Sequence, residues 1–220
     1  MDLAGISGLL TEQGWALLES LPPYREDDAL GLGEQLRAAG HDPALVAAAL
    51  TQSRLRSAAR AKFGPFADGM LFTVTGLEQA TRFSVAARHA QRFVSAGIDR
   101  VADLGCGIGA DSMALATFDR EVLAVERDEV TAAVATMNLR HWPEASVRCA
   151  DATTVDLAGS WTRGQTVVDQ RETGLDHAHD PHGLAPAVID VALGVDAARY
   201  ARLWLEVVEA PSDPGLRAPA

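Results

Sequence analysis

The residue types that can cradle a small polar ligand are concentrated between positions 101 and 116, Val-Ala-Asp-Leu-Gly-Cys-Gly-Ile-Gly-Ala-Asp-Ser-Met-Ala-Leu-Ala. An apolar run (Val101, Ala102, Leu104) reads as a short buried strand, which breaks into Gly105, Gly107 and Gly109 before an apolar helical pattern begins. A strand, a glycine turn and a helix start let a ligand approach bare backbone N–H groups, where the helix dipole favours negative charge. Asp103 stands at the strand's end, two residues before the first glycine, and is expected to face the same crevice. Together these groups suit a ligand that carries both a carboxylate and a cationic amine.

Further positions fit that crevice. Glu126 follows the next apolar run, where an acid can accept hydrogen bonds from both hydroxyls of a ribose. Asp151 and Ala152 follow the third run, where a carboxylate can take an adenine amino group and a backbone N–H can reach the ring. Asp111, in the first turn after the glycines, suits a helix N-terminus and stands within reach of a ligand amine. Cys106 in the turn and Arg127 beside Glu126 complete the candidate cofactor-binding set. S-adenosylmethionine (SAM) has the matching chemistry. Gly105-x-Gly107-x-x-Ala110 also satisfies the nicotinamide dinucleotide fingerprint, and Glu126 serves that reading too. Asp103 before the glycines and the segment Cys149–Thr153 favour SAM, because a dinucleotide site needs neither.

In these segments the chain resembles the class I SAM-dependent methyltransferases. Val101–Ala116 corresponds to their first motif, Val122–Asp128 to the second and Val147–Thr153 to the third. More narrowly, it is similar to a bacterial subgroup of methyltransferases with a THUMP-like C-terminal domain, which carries a segment like Gly76–Thr81 ahead of the first motif. The resemblance implies in-line transfer of a sulfonium methyl to a nucleophile, with orientation in a water-poor site as the main contribution of the protein. No acid–base dyad is obligatory for that chemistry. Asp169, at the end of the fourth apolar run, is the catalytic candidate, although the proline-containing motif of that position is missing: the chain reads Val167-Val168-Asp169-Gln170-Arg171.

The elements that must position these residues follow from periodicity and caps. Helices are expected from about Leu9 to Leu21, Asp27 to Ala39, Asp42 to Lys62 and Thr81 to Ala96. A short strand is expected at Met70–Val74, and Phe83, Val85, Ala86, Ala90 and Phe93 form an inner stripe. From Asp99 strands and helices alternate: strand 100–104, helix 109–117, strand 121–125, helix 128–140, strand 146–149 and a strand at 165–168. That alternation implies an α/β fold, a Rossmann-like doubly wound parallel sheet preceded by a mostly helical region, with its crevice at the strand C-termini. Three parts are expected: a helical N-terminal region (1–98), a SAM-binding Rossmann-like domain (99–170) and a divergent tail (171–220). The tail breaks the pattern, as an out-of-frame or diverged stretch would. It is expected to be poorly ordered and to leave the C-terminal part of the sheet incomplete.

The 220 residues, 48% hydrophobic and 22% charged, are an ordinary composition for a chain with a buried core. No apolar run approaches the ~20 residues of a membrane span, and the start lacks a basic signal-like region, so a cytoplasmic protein without membrane contact is expected. Cys106 and Cys149 fall in expected core segments and read as reduced thiols. Three histidines, His177, His179 and His182, lie in one Pro-flanked run, which reads as loop rather than as a metal site. The formal net charge is −11, yet Gln52–Phe93 holds Arg54, Arg56, Arg60, Lys62, Arg82, Arg88 and Arg92 against Asp68 and Glu78. That segment reads either as a contact for RNA or another nucleic acid or as a solvated helix face. The leading expectation is a SAM-dependent methyltransferase acting on RNA or other nucleic acid. A small-molecule methyltransferase, an NAD(P)-binding Rossmann protein and a non-catalytic SAM-binding protein are the alternatives.

Overall fold

The computed structural model describes residues 3–155 and 166–169. The expectations for the tail and its histidine run lie outside them. Helix α1 (Leu3–Leu9) precedes α2 (Glu12–Ser20), α3 (Glu26–Ala38) and α4 (Pro43–Phe63). The helix expected from about Leu9 to Leu21 forms as α2, and α1 before it was not expected. The Thr11 side chain accepts the Gly14 N–H at 3.0 Å and starts a new helix. A Cβ at Gly14, within α2, would run into the carbonyl of Gly8, so the close approach of α2 to the end of α1 needs glycine there. Helix α4 starts as its sequence requires, with the Asp42 carboxylate accepting the Leu45 N–H at 2.8 Å and Pro43 in the first turn. A 3-10 turn (Gly64–Gly69), α5 (Val74–Gln79) and α6 (Phe83–Ser95) complete the helical region.

Met70–Thr73 is extended but pairs with no strand among the described residues. Its backbone is satisfied by side chains instead. Gln52 donates to Phe72 O at 2.7 Å and accepts Phe72 N–H at 3.0 Å, while Asn138 accepts Leu71 N–H at 2.7 Å and donates to Leu71 O at 3.0 Å. Arg56 Nε donates to Met70 O at 2.9 Å. Buried backbone groups must be paired, and here buried side-chain amides take the place of a ladder. Helix α5 then begins at Val74, the last residue of the expected strand.

The sheet is parallel, in the order β3 (Ala145–Cys149), β2 (Glu121–Glu126), β1 (Arg100–Leu104), β4 (Thr166–Asp169). Helices α7 (Ala110–Ala116) and α8 (Glu129–Asn138) connect β1 to β2 and β2 to β3. The expected mixed α/β fold with a parallel sheet behind a helical region is what forms. One apolar cluster joins Ile6, Leu17, Phe63, Phe66, Phe72 and Phe83 to Val101, Met113, Val122 and Leu139, so helical region and sheet share a core. Ala102, Leu104 and Val125 form a smaller cluster on the other face of the sheet.

Helix α7 is buried on all sides, packing against α6 and β2. On α6 the inner stripe is Phe83, Ala86, Ala87, Ala90 and Phe93. Val85, expected in it, is half-buried, since two residues turn it roughly 200° from Phe83. Cys106 is buried as expected, but Cys149 is exposed, because β3 pairs with β2 alone among the described strands and is largely exposed along its length.

Candidate functional site

A cavity of about 550 Å³ opens at the C-terminal end of β1 and β2. One wall is the glycine turn (Gly105–Ile108, Ala110, Asp111) with Glu126–Asp128, Val130 and Thr131; the other is Thr73–Gly76 with Gln79–Thr81.

The turn owes its shape to three left-handed glycines, with φ of 106° at Gly105, 57° at Gly107 and 80° at Gly109, conformations that a side chain would strain. Gly105 N–H and Cys106 N–H both donate to Val125 O, at 2.8 and 3.1 Å, which ties the turn to the end of β2. From there Glu126 reaches across: its Oε2 accepts Gly107 N–H at 3.1 Å and its Oε1 accepts Asp128 N–H at 2.9 Å. Asp128 caps α8, accepting the Thr131 N–H at 2.8 Å and the Thr131 hydroxyl at 2.7 Å. That hydroxyl, followed by the Thr131 N–H, holds the Asp128 carboxyl below its usual range, so it stays ionised. Asp111, 6% exposed, pairs through Oδ1 with His89 Nδ1 of α6 at 3.0 Å.

Gly105, Cys106, Gly107, Asp111, Glu126 and Arg127 are thus brought together on the cavity. Asp103 is not on its surface: the side chain is fully buried and accepts the Ser112 hydroxyl at 3.0 Å, so it braces α7 against β1 from within. Gly109 lies behind the turn as the N-cap of α7. Asp151 accepts the N–H and hydroxyl of Thr153, at 2.9 and 2.7 Å, in the 3-10 turn Ala152–Thr154. Neither it nor Ala152 lines the cavity. Asp169 pairs by its backbone with Leu104, beside the end of β1.

The second wall was not among the candidate residues. Thr73 starts it by accepting Gly76 N–H at 2.9 Å. Gly76 lies so close to the turn that a Cβ there would run into Ile108 Cγ2. Lys62 ends it, donating to the carbonyls of Leu77, Glu78 and Ala80 at 2.8, 2.7 and 2.8 Å. Burial, then Arg82, holds the Lys62 ammonium below the usual lysine range. The sequence signal for this wall was the Gly76–Thr81 segment noted as family-like, with no geometry attached to it.

The basic segment is largely committed to the fold. Arg56 is buried and bonded to Glu19 at 2.9 Å, with its guanidinium 5.0 Å from the Trp15 ring centroid. Arg60 pairs with Asp68 at 2.7 Å, Lys62 caps α5, and Arg82 donates to Ala61 O at 3.2 Å. Arg54, Arg88 and Arg92 are exposed. Among the described residues no helix is long and apolar enough to cross a membrane, and no group of three metal-ligating side chains is assembled.

Residues 2–59, from α1 through most of α4, match the family model described as Domain of unknown function (DUF8688). No curated protein and no solved structure matches the chain.

Proposed function

We propose that the chain is a SAM-dependent methyltransferase with its cofactor in the cavity between the glycine turn and the Thr73–Thr81 wall. The observation that carries this reading is the charge of the cavity. Asp111, Glu126 and Asp128 line it against Arg127. Three carboxylates suit a ligand with an ammonium and a sulfonium centre, and they oppose the pyrophosphate of a dinucleotide. The parallel order β3–β2–β1–β4, with the turn after β1 and an acid after β2, supports a Rossmann-like cofactor half.

When bound, SAM supplies an activated methyl group for in-line transfer to a nucleophile. The turn's backbone would hold the amino-acid end, and Glu126, which accepts Gly107 N–H at 3.1 Å, would accept the ribose hydroxyls. Asp111, oriented by His89, would accept from the ammonium. The Thr73–Thr81 wall would shield the reacting methyl from water, and Asp169 stands next to β1 as the candidate on the acceptor side. A cytoplasmic enzyme is the matching location. The surface lends no support to an RNA acceptor, since four of the seven basic side chains of the Gln52–Phe93 segment are engaged within the fold.

Calorimetric titration tests the reading. SAM and S-adenosylhomocysteine are expected to bind, NADH and NADPH are not, and Glu126→Ala is expected to weaken binding by ~1–3 kcal/mol. Binding of NADPH without binding of SAM overturns it. Transfer of labelled methyl to RNA, protein or metabolite fractions then identifies the acceptor class.

A further inference from the structure

We infer that Asn138, the last residue of α8, is a positioning residue that sets the gap between the two walls of the cavity. The inference rests on the cofactor reading above. Asn138 is 2% exposed and does not line the cavity. Its amide nevertheless holds both sides. Oδ1 accepts Leu71 N–H at 2.7 Å, and Nδ2 donates to Leu71 O at 3.0 Å and to Ile108 O at 2.9 Å. Leu71 belongs to the extended segment that leads into Thr73, and Ile108 belongs to the glycine turn.

A side-chain amide offers two N–H donors, and both are used here, one on each wall. The orientation of the amide is fixed by chemistry, because Leu71 N–H needs an oxygen and the two carbonyls need N–H groups. Aspartate at this position lacks the donors, and a hydroxyl satisfies one carbonyl at most. Ile108 sits between two left-handed glycines, in a turn that Gly109 N–H closes on Cys106 O at 2.9 Å, so its carbonyl is set by the path of the turn and by Asn138. On the side-chain side of the same residue, Ile108 Cγ2 closes against Gly76. Asn138 draws the two walls together through Ile108 O, and the Gly76–Ile108 contact stops them approaching further. A ligand gripped from both walls depends on that separation, and misplacement of about 1 Å is enough to cost two orders of magnitude where orientation governs the rate.

The test is titration of S-adenosylhomocysteine against the full chain, its Asn138→Ala and Asn138→Ser variants, and Leu17→Ala. The last removes core volume from α2, away from the cavity, as a control for lost stability. Asn138→Ala is expected to raise Kd at least tenfold, about 1.4 kcal/mol, and Asn138→Ser by less, while Leu17→Ala stays within twofold. Equal Kd values for Asn138→Ala and Leu17→Ala overturn the inference, and Asn138→Ser decides the matter in the same way if Asn138→Ala does not fold. In the wild-type chain, the ligand is expected to slow hydrogen exchange at Leu71 N–H together with Gly109 N–H. A slowed Gly109 with an unchanged Leu71 also overturns it. Absence of any binding by the wild type is a different result, and it removes the cofactor reading itself.

Discussion

The two walls of the cavity are built by opposite means. The glycine turn is held by neighbours in the sheet: its first two N–H groups extend the pairing of β1 with β2, and its path is set by three left-handed glycines within five residues. The Met70–Thr81 wall is held by side chains from distant helices, namely Gln52, Arg56 and Lys62 of α4 and Asn138 of α8. Both satisfy the same requirement, that buried backbone groups find partners. The difference lies in where the partners come from. The turn depends chiefly on its glycines, whereas the Met70–Thr81 wall depends chiefly on a few distant side chains.

The largest effect is expected at Gln52, which is fully buried. Gln52→Leu strips both bonds from Phe72 and leaves its N–H and C=O orphaned, at about 1–3 kcal/mol each. Thermal unfolding is expected to shift down by roughly 4–24 °C, from the usual 2–4 °C per kcal/mol for a chain of this size. A smaller effect is expected at Gly107, where an added Cβ meets open space. Gly107→Ala therefore reports the left-handed backbone alone, about 1–2 kcal/mol, measurable by urea unfolding. If Gly107→Ala destabilises more than Gln52→Leu, the ranking of the two walls is reversed.

The smallest effect is a pH dependence at the seam between α8 and the helical region. Burial, and then Arg140, lower the His141 pKa from 6.5 to about 4. The unfolded chain binds the proton first as pH falls, so this contribution is complete above pH 6.5 and is lost progressively down to about pH 4. His141→Gln is expected to flatten the fall in melting temperature across that window, and an unchanged profile separates His141 from the acid sensitivity of the seam.

The same contrast explains what could be read in the sequence. Strands β1 and β2, the glycine turn and Glu126 were legible because each is encoded in a few contiguous residues: an apolar run, a glycine spacing, an acid after a strand. Asp42 and Pro43 marked the start of α4 for the same reason. Met70–Val74 misled because its apolar, β-prone composition is that of a strand, while the partners that keep it extended are single polar residues far away in the chain. Arg56 and Lys62 misled in turn. A cation in a basic stretch suggests an external anion, and nothing local reveals that carbonyls of the same fold already surround it. Asp103 was legible as important but not as interior, since its partner Ser112 is chosen by the packing of α7.

Lys62 is the chain's one lysine, so beyond the amino terminus an acylating reagent has a single primary amine to find. That amine must leave the three carbonyls at the end of α5 and shed its proton before it reacts. Its acylation half-life therefore reports how often the Lys62 side chain lets go of the end of α5, read from the mass of the intact chain.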